Sequence, residues 1–432
     1  MEPSVIEAVR LTAFKSFSNA VLPLHDMTLL VGRNGSGKSN ALDGLWTLAR
    51  LAQGEDIRDA LDGGREGPWV RGGVVGCAPL GASTFEVGCS VRTGPEIVEF
   101  DVAVQVEPVV QVVRESIRID GHMVLATLPP STDSADITAI WDGPTERQVL
   151  FRAGRLLSTQ VLARIPATTQ GQRLHLAAAR VLAALRSAFV LDPVPHLMRT
   201  YVPRRDVLLR RDADNLSAAV ASLLEDPGTS GVLTNALSRL NEQQVVDVTT
   251  SRSELDDVML TLIERFNGRD VQIPARVMSD GTLRFLAILV ALLQAPTVDT
   301  MPEPLASEDA IGQTTLVVEE LENGLHASQA QLLLGLVREE VKSRRVRVLA
   351  TAHSPALLDA LQGAEHDSVV VCQRDARGRS ELRRLDELPN YVDIVAGGGL
   401  GRALERDQLR LKEPAAARPS EALARILGGD TG

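Results

Sequence analysis

No segment of this chain approaches the roughly 18 consecutive apolar residues that a membrane-spanning helix needs, although 44% of its 432 residues are hydrophobic. The apolar residues are therefore expected in a buried core, and a chain of this length can bury a large one and form more than one lobe. The first residues, Met1-Glu2-Pro3-Ser4-Val5-Ile6-Glu7, have neither the basic start nor the apolar centre of a secretory signal. Cysteine is scarce. Cys77, Cys89 and Cys372 have no paired metal-type spacing, which argues against structural zinc and for a reducing cytoplasm. Internal repeats are lacking, and so are sustained heptads with charged flanks, so no long coiled coil is expected. Positive charge is also short. Forty-five Lys and Arg stand against 56 Asp and Glu, a net charge of −11. The surface as a whole will not attract nucleic acid. Arg204-Arg205, Arg210-Arg211, Arg344-Arg345 with Arg347, and Arg383-Arg384 remain as candidate basic patches for DNA, although each reads more readily as a solvated face.

What the chain does have is concentrated in residues 31–40, Val-Gly-Arg-Asn-Gly-Ser-Gly-Lys-Ser-Asn. They match the phosphate-binding pattern G-x-x-x-x-G-K-[ST] at Gly32, Gly37, Lys38 and Ser39. Glycines let the backbone curl until successive N–H groups point at phosphate oxygens. The cradle is expected from Gly32, Asn34, Gly35, Ser36, Gly37, Lys38, Ser39 and Asn40. Lys38 would reach the β- and γ-phosphates, and the Ser39 hydroxyl would ligate Mg²⁺. An apolar run, Met27 to Val31, precedes the loop as a buried strand, and Asn40 to Leu48 follows as a helix. Strand, loop and helix N-terminus together form an anion site.

Hydrolysis of ATP needs acids opposite that loop. Thr315-Leu316-Val317-Val318 reads as a buried parallel strand that ends in Glu319-Glu320, at the strand end where α/β sheets bind ligands. Glu319 would hold Mg²⁺ and Glu320 would face the attacking water. A second strand, Val346 to Ala350, leads to Thr351-Ala352-His353-Ser354-Pro355, which places His353 on the same side for contact with the γ-phosphate or the water. Ser279-Asp280-Gly281 opens a long apolar helix, and such a helix start can also bind phosphate. One chain with one ATP does not need two of them. Two chains do, in a head-to-tail pair where Ser279 reaches the partner's nucleotide.

Elsewhere, Phe85 to Val91 and Val98 to Val106 alternate with period two, as in a half-buried antiparallel sheet running to about Thr127. Pro129 to Asp133 marks a loop. Helices are expected over 171–189, 214–225, 232–243, 253–266 and 327–342. After Tyr391 the chain changes character, with a glycine hinge at 397–399, a linker at 414–419 and a short helix from Ser420 to Leu427.

These motifs resemble the ABC-type ATPases, and more closely the OLD-like and RecF/SMC-like branch than the transporters. Phe14-Lys15-Ser16-Phe17 is similar to the F-K-S-F element of that branch. Gly32 to Asn40 resembles its G-x-N-G-S-G-K-S-N loop. Ser279 to Arg284 looks like its S-D-G-T-L-R signature rather than the transporter L-S-G-G-Q. Val318-Glu319-Glu320 through His326, with Thr351 to Pro355, resembles its E-E-P-E-x-x-L-H-P and T-H-S-P motifs, and Asn215 to Val220 an N-L-A-x-x-L helix. The resemblance implies phosphate and Mg²⁺ at Lys38 and Ser39, a metal-holding acid at Glu319, the catalytic acid at Glu320 and a switch histidine at His353. It also implies action in trans by Ser279 and Gly281, with Asn323 in the stretch that crosses the dimer interface. Leu321, Ala327 and Ala352 replace two prolines and a threonine of the pattern, changes of loop rigidity rather than chemistry.

The expected fold is α/β, an ABC-ATPase P-loop sheet core of 1–50 and 270–395. A sheet-plus-helix lobe is inserted at 51–269, and the tail is 396–432. The stretch between Lys38 and Ser279 is long for a transporter ATPase and short for an SMC arm. OLD nucleases carry a C-terminal TOPRIM domain with an Asp-x-Asp. None follows His353, and Asp212-Ala213-Asp214 precedes the signature, so an ATPase without its own nuclease is expected. The resulting reading is a cytoplasmic ATP- and Mg²⁺-dependent homodimeric switch in DNA repair, recombination or anti-phage defence. It would act with a separate effector such as a nuclease, with DNA as a possible partner and no membrane. The rival readings are a transporter ATPase subunit and a non-catalytic ATP-dependent scaffold.

Overall fold

A computed structural model describes residues 2–63, 68–129, 135–142, 147–240, 244–295, 310–343, 346–397 and 399–409. Among them, fourteen strands make one sheet. In spatial order these are Ala188–Leu191, Thr314–Val318, Val346–Ala352, Met27–Val31, Val369–Arg374, Ser380–Arg384, Phe17–Pro23, Val5–Phe14, Thr84–Thr93, Glu96–Gln105, Gln111–Ile119, His122–Thr127, Asp136–Trp141 and Arg147–Arg152. The first five are parallel. From Val5–Phe14 outward every pairing is antiparallel.

The parallel strands are apolar throughout because both of their faces are covered. Successive side chains alternate between two cores. Leu30, Val317, Leu349 and Val370 point into one, beneath the helices Lys38–Leu51 and Thr169–Arg186. Leu29, Val31, Leu316, Val318, Val348 and Ala350 point into the other, shared with the helices Asp280–Leu293 and Ala327–Lys342. The first core runs on without a break into the antiparallel strands, through Phe14, Phe85, Phe100 and Trp141.

Residues 51–269 contribute to several places. Strands between Thr84 and Arg152 extend the main sheet beyond the N-terminal hairpin. Ala188–Leu191 pairs with Thr314–Val318 at the far parallel edge. Val202–Pro203, Gln244–Arg252 and Asp257–Phe266, with Arg269–Pro274, form a second antiparallel sheet that packs on the helices Leu216–Leu223 and Pro227–Leu240.

The structure corrects one element. Residues 253–266, expected as a helix, contain the strand Asp257–Phe266. Val258 and Leu260 to Leu262 are buried on both faces of that strand, which blurs the alternation and imitates a helix face. The better signal is Asn267-Gly268, whose φ values of 49° and 77° are those of a tight hairpin turn joining it to Arg269–Pro274. The expected helices over 171–189 and 327–342 are present as Thr169–Arg186 and Ala327–Lys342. The Pro130 to Asp133 loop, Arg344-Arg345, Gly398, and the tail linker and helix lie outside the described residues.

Candidate active site

The P-loop joins the end of Met27–Val31 to the start of Lys38–Leu51, in the middle of the parallel strands. Two of its glycines are required by close approach. Gly32 has φ 150°, and a Cβ there would stand 2.1 Å from the Cys372 carbonyl oxygen. Gly37 has φ 115°, and a Cβ would stand 2.2 Å from Ser380 Oγ. Ser36 is buried beneath the loop, where its carbonyl accepts hydrogen bonds from Cys372 Sγ (3.4 Å) and Ser380 Oγ (2.5 Å).

Above the loop lies a pocket of about 340 Å³ lined by Asn34, Gly35, Gly37, Lys38, Ser39, Asn40, Glu319, Glu320, Thr351, His353 and Arg374. The structure brings the loop, both acids and the histidine together around this pocket, while Gly32 and Ser36 do not line it. Lys38 Nζ donates to the carbonyls of Gly32 (2.8 Å) and Arg33 (3.0 Å). Burial lowers its pKa against the opposing pull of nearby anions, Glu320 and Glu319 among them. Ser39 Oγ donates to Glu319 Oε1. A hydroxyl and a carboxylate meeting from two elements suit Mg²⁺, which takes oxygen ligands and keeps several waters.

Glu320 sits at φ 55°, a left-handed conformation unusual for its type. Its N–H donates to Thr351 Oγ1 (2.7 Å), and its Oε2 accepts from Asn323 Nδ2 (2.9 Å). Burial, and then the Lys38 charge, lower the His353 pKa. Glu320 pulls the other way, and the net shift favours the neutral ring, in which one nitrogen is an acceptor. The main-chain N–H of His353 donates to the Glu322 carboxylate. Burial raises the Glu322 pKa, against backbone donors that lower it.

Several participants were not legible in the sequence. Arg71 Nη1 donates to Glu319 Oε2 (3.0 Å), and its Nη2 donates to Asp43 Oδ1 (3.1 Å) and the Ser39 carbonyl (3.1 Å). Lys15 of the first hairpin turn also donates to Asp43 (2.6 Å). Arg71 lies in a segment read only as loop, and its one local signal is the glycine pair that follows. Arg374 Nε reaches the Gly35 carbonyl (2.9 Å).

Ser279 and Gly281 do not line this pocket. Ser279 caps its own helix by accepting the Thr282 N–H (3.1 Å). Arg199 holds the preceding turn by donating to the Met278 carbonyl (2.7 Å) and pairing with Asp280. Gly281 packs on Gly324, whose carbonyl oxygen would stand 2.3 Å from a Cβ at position 281. The arginine patches are largely engaged within the chain. Arg204 pairs with Glu225, Arg210 with Asp206 and Asp214, Arg347 with Asp26, and Arg384 with Asp386. Asn215 is buried and donates to the carbonyls of Asp206 (2.8 Å) and Leu208 (2.7 Å), so it shapes a loop rather than a ligand site.

The family described as "AAA domain, putative AbiEii toxin, Type IV TA system" matches residues 27–116 and 160–359, well over half of the chain. The chain belongs to this family. Both halves of the pocket of this AAA domain fall within the match, Gly32 to Asn40 in the first segment and Glu319, Glu320 and His353 in the second. The chain carries an AAA domain, and its motifs resemble those of the ABC-type ATPases. Solved structures similar to it include an SMC head domain from Thermotoga maritima, at 14% identity over 88% of this chain and 98% of that one (TM-score 0.41). A second is the Smc head domain with an extended coiled coil bound to the C-terminal domain of ScpA, derived from Pyrococcus furiosus, at 13% over 91% and 99% (TM-score 0.45). A third is the recombination mediator protein RecF with ATP, at 10% over 81% and 94% (TM-score 0.33). No curated protein matches the chain. Among the described residues, no helix is long and apolar enough to cross a membrane.

Proposed function

We propose that this AAA domain binds and hydrolyses ATP as a molecular switch. The observation that carries this reading is the convergence of Lys38, Ser39, Glu319, Glu320 and His353 on one pocket. The P-loop amides and Lys38 hold the β- and γ-phosphates. Ser39 and Glu319 would hold Mg²⁺, which when bound would supply positive charge to the phosphate oxygens. Glu320 orients the attacking water and draws its proton. His353 hydrogen-bonds that water or the γ-phosphate.

Two chains close head-to-tail around two nucleotides, with Ser279 and Gly281 of each facing the partner's γ-phosphate. The core of 1–50 and 270–395 houses the chemistry, residues 51–269 transmit closure, and the 396–432 tail serves an effector. A family description that names a toxin of a toxin–antitoxin system favours anti-phage defence over DNA repair or recombination, with a separate nuclease or other effector as the output. Buried free thiols at Cys77, Cys89 and Cys372 suit the cytoplasm.

The test is steady-state ATP turnover with and without duplex DNA, together with sedimentation of Glu320→Gln. Turnover should vanish in the variant, which should sediment as a dimer only with ATP. A variant that stays monomeric at saturating ATP refutes the trans arrangement, and wild-type turnover in the variant refutes the role of Glu320. DNA-stimulated turnover would make nucleic acid the trigger.

A further inference from the structure

The turn after Glu320 is bound to the end of the neighbouring strand at three points. The Glu320 N–H donates to Thr351 Oγ1 (2.7 Å), and the Leu321 N–H to the Thr351 carbonyl (3.0 Å). The third tie runs the other way, from the His353 N–H to Glu322 Oε1. The first two hold Glu320. The third is the one that reaches His353, and it depends on a single side chain. The other carboxylate oxygen, Glu322 Oε2, is buried with no partner among the described residues. The N–H groups of His353, Glu322 and Ser354 are gathered about this carboxylate and offset part of the cost of burying it, so the segment that follows the strand is organised around Glu322. The same turn ends at Gly324, which lies in backbone contact with Gly281 at the start of the signature helix.

We propose that Glu322 is a positioning residue for hydrolysis, holding the His353 main chain in fixed register with Glu320 and linking both to the signature helix through Gly324. This rests on the reading of Glu320 and His353 given above. A displacement of about 1 Å at such a group can cost about 100-fold in rate, while ATP affinity depends on the P-loop and is untouched.

Glu322→Ala removes the acceptor. Glu322→Gln keeps one, since its amide oxygen can receive the His353 N–H. The alanine variant should lose about 10- to 100-fold in kcat with KM for ATP within about twofold, and the glutamine variant should recover most of kcat. Amide exchange of the 351–358 segment in the full chain should quicken in Glu322→Ala and not in Glu322→Gln, whether or not the protein turns over ATP. Unchanged exchange in the alanine variant overturns the proposal. So does a loss in KM equal to that in kcat, or a glutamine variant as impaired as alanine. Quickened exchange with no turnover in the wild-type chain would instead refute the hydrolytic reading and leave the tie standing.

Discussion

At the residue scale the site is governed by short polar ties rather than by the loop motif alone. Glu320 holds φ 55°, a conformation that costs a non-glycine residue about 1–2 kcal/mol and persists only where neighbours enforce it. Thr351, buried and 1% exposed, supplies the acceptor for its N–H. Thr351→Val keeps the shape and removes that acceptor. Leaving the donor unpaired should cost about 1–3 kcal/mol of stability, read as a lower denaturant midpoint at unchanged slope. The same variant should lower kcat with little change in KM. Asn323 is exposed and fastens the Glu320 carboxylate within its own chain. Residue type and spacing did not reveal that contact, because it depends on how the turn closes.

Elements, rather than single residues, decide how the antiparallel strands meet the ATP-binding half. Glu115, on the strand Gln111–Ile119, is fully buried and accepts the N–H groups of Leu157 (2.7 Å) and Ser158 (2.6 Å). It fastens that strand to the segment leading into Thr169–Arg186. Burial raises its pKa from 4.5 to about 7 despite those donors. A folded-state pKa above the unfolded one means that folding takes up a proton. This contribution to stability is complete below about pH 4.5 and is lost as pH rises through about 7. Denaturation midpoints measured between those limits should fall with pH in the wild type. Glu115→Gln, less stable overall through loss of one acceptor, should show a flatter profile, and parallel profiles would refute the assignment. A second inter-element clamp surrounds Trp69. Its carbonyl accepts from Trp46 Nε1 (2.8 Å) and Arg211 Nη1 (3.0 Å), and Arg211 also lies over the Trp46 ring at 5.7 Å. Arg211 belongs by sequence to a candidate basic patch. It instead joins the helical region to the segment that carries Arg71.

At the scale of the whole molecule, the continuous sheet and shared core predict cooperative unfolding. Trp46, Trp69 and Trp141 are the three tryptophans. Trp141 lies in the strand Asp136–Trp141, thirteenth of fourteen in the sheet, yet belongs to the same core cluster as Leu45 and Leu48 of the helix after the P-loop. With Trp46 and Trp69 replaced by Phe, the fluorescence of Trp141 should report the same thermal midpoint as loss of ATP turnover. Two separated midpoints would show that the antiparallel strands melt on their own.

The sequence by itself determined the candidate site wherever that site is built from local residues. A loop bounded by a strand and a helix, two acids at a strand end and a histidine at the next are each set by a few consecutive residues, and all of them met in one pocket. Tertiary structure decided what depends on residues far apart in the chain. Ala188–Leu191 joined the parallel edge beside Thr314–Val318, Arg71 reached Glu319, and Glu322 reached the His353 amide. The strand Asp257–Phe266 was misread for a related reason. A segment buried on both faces carries no clear period of its own, and its identity rests on the hairpin turn at Asn267-Gly268 and on its pairing partners.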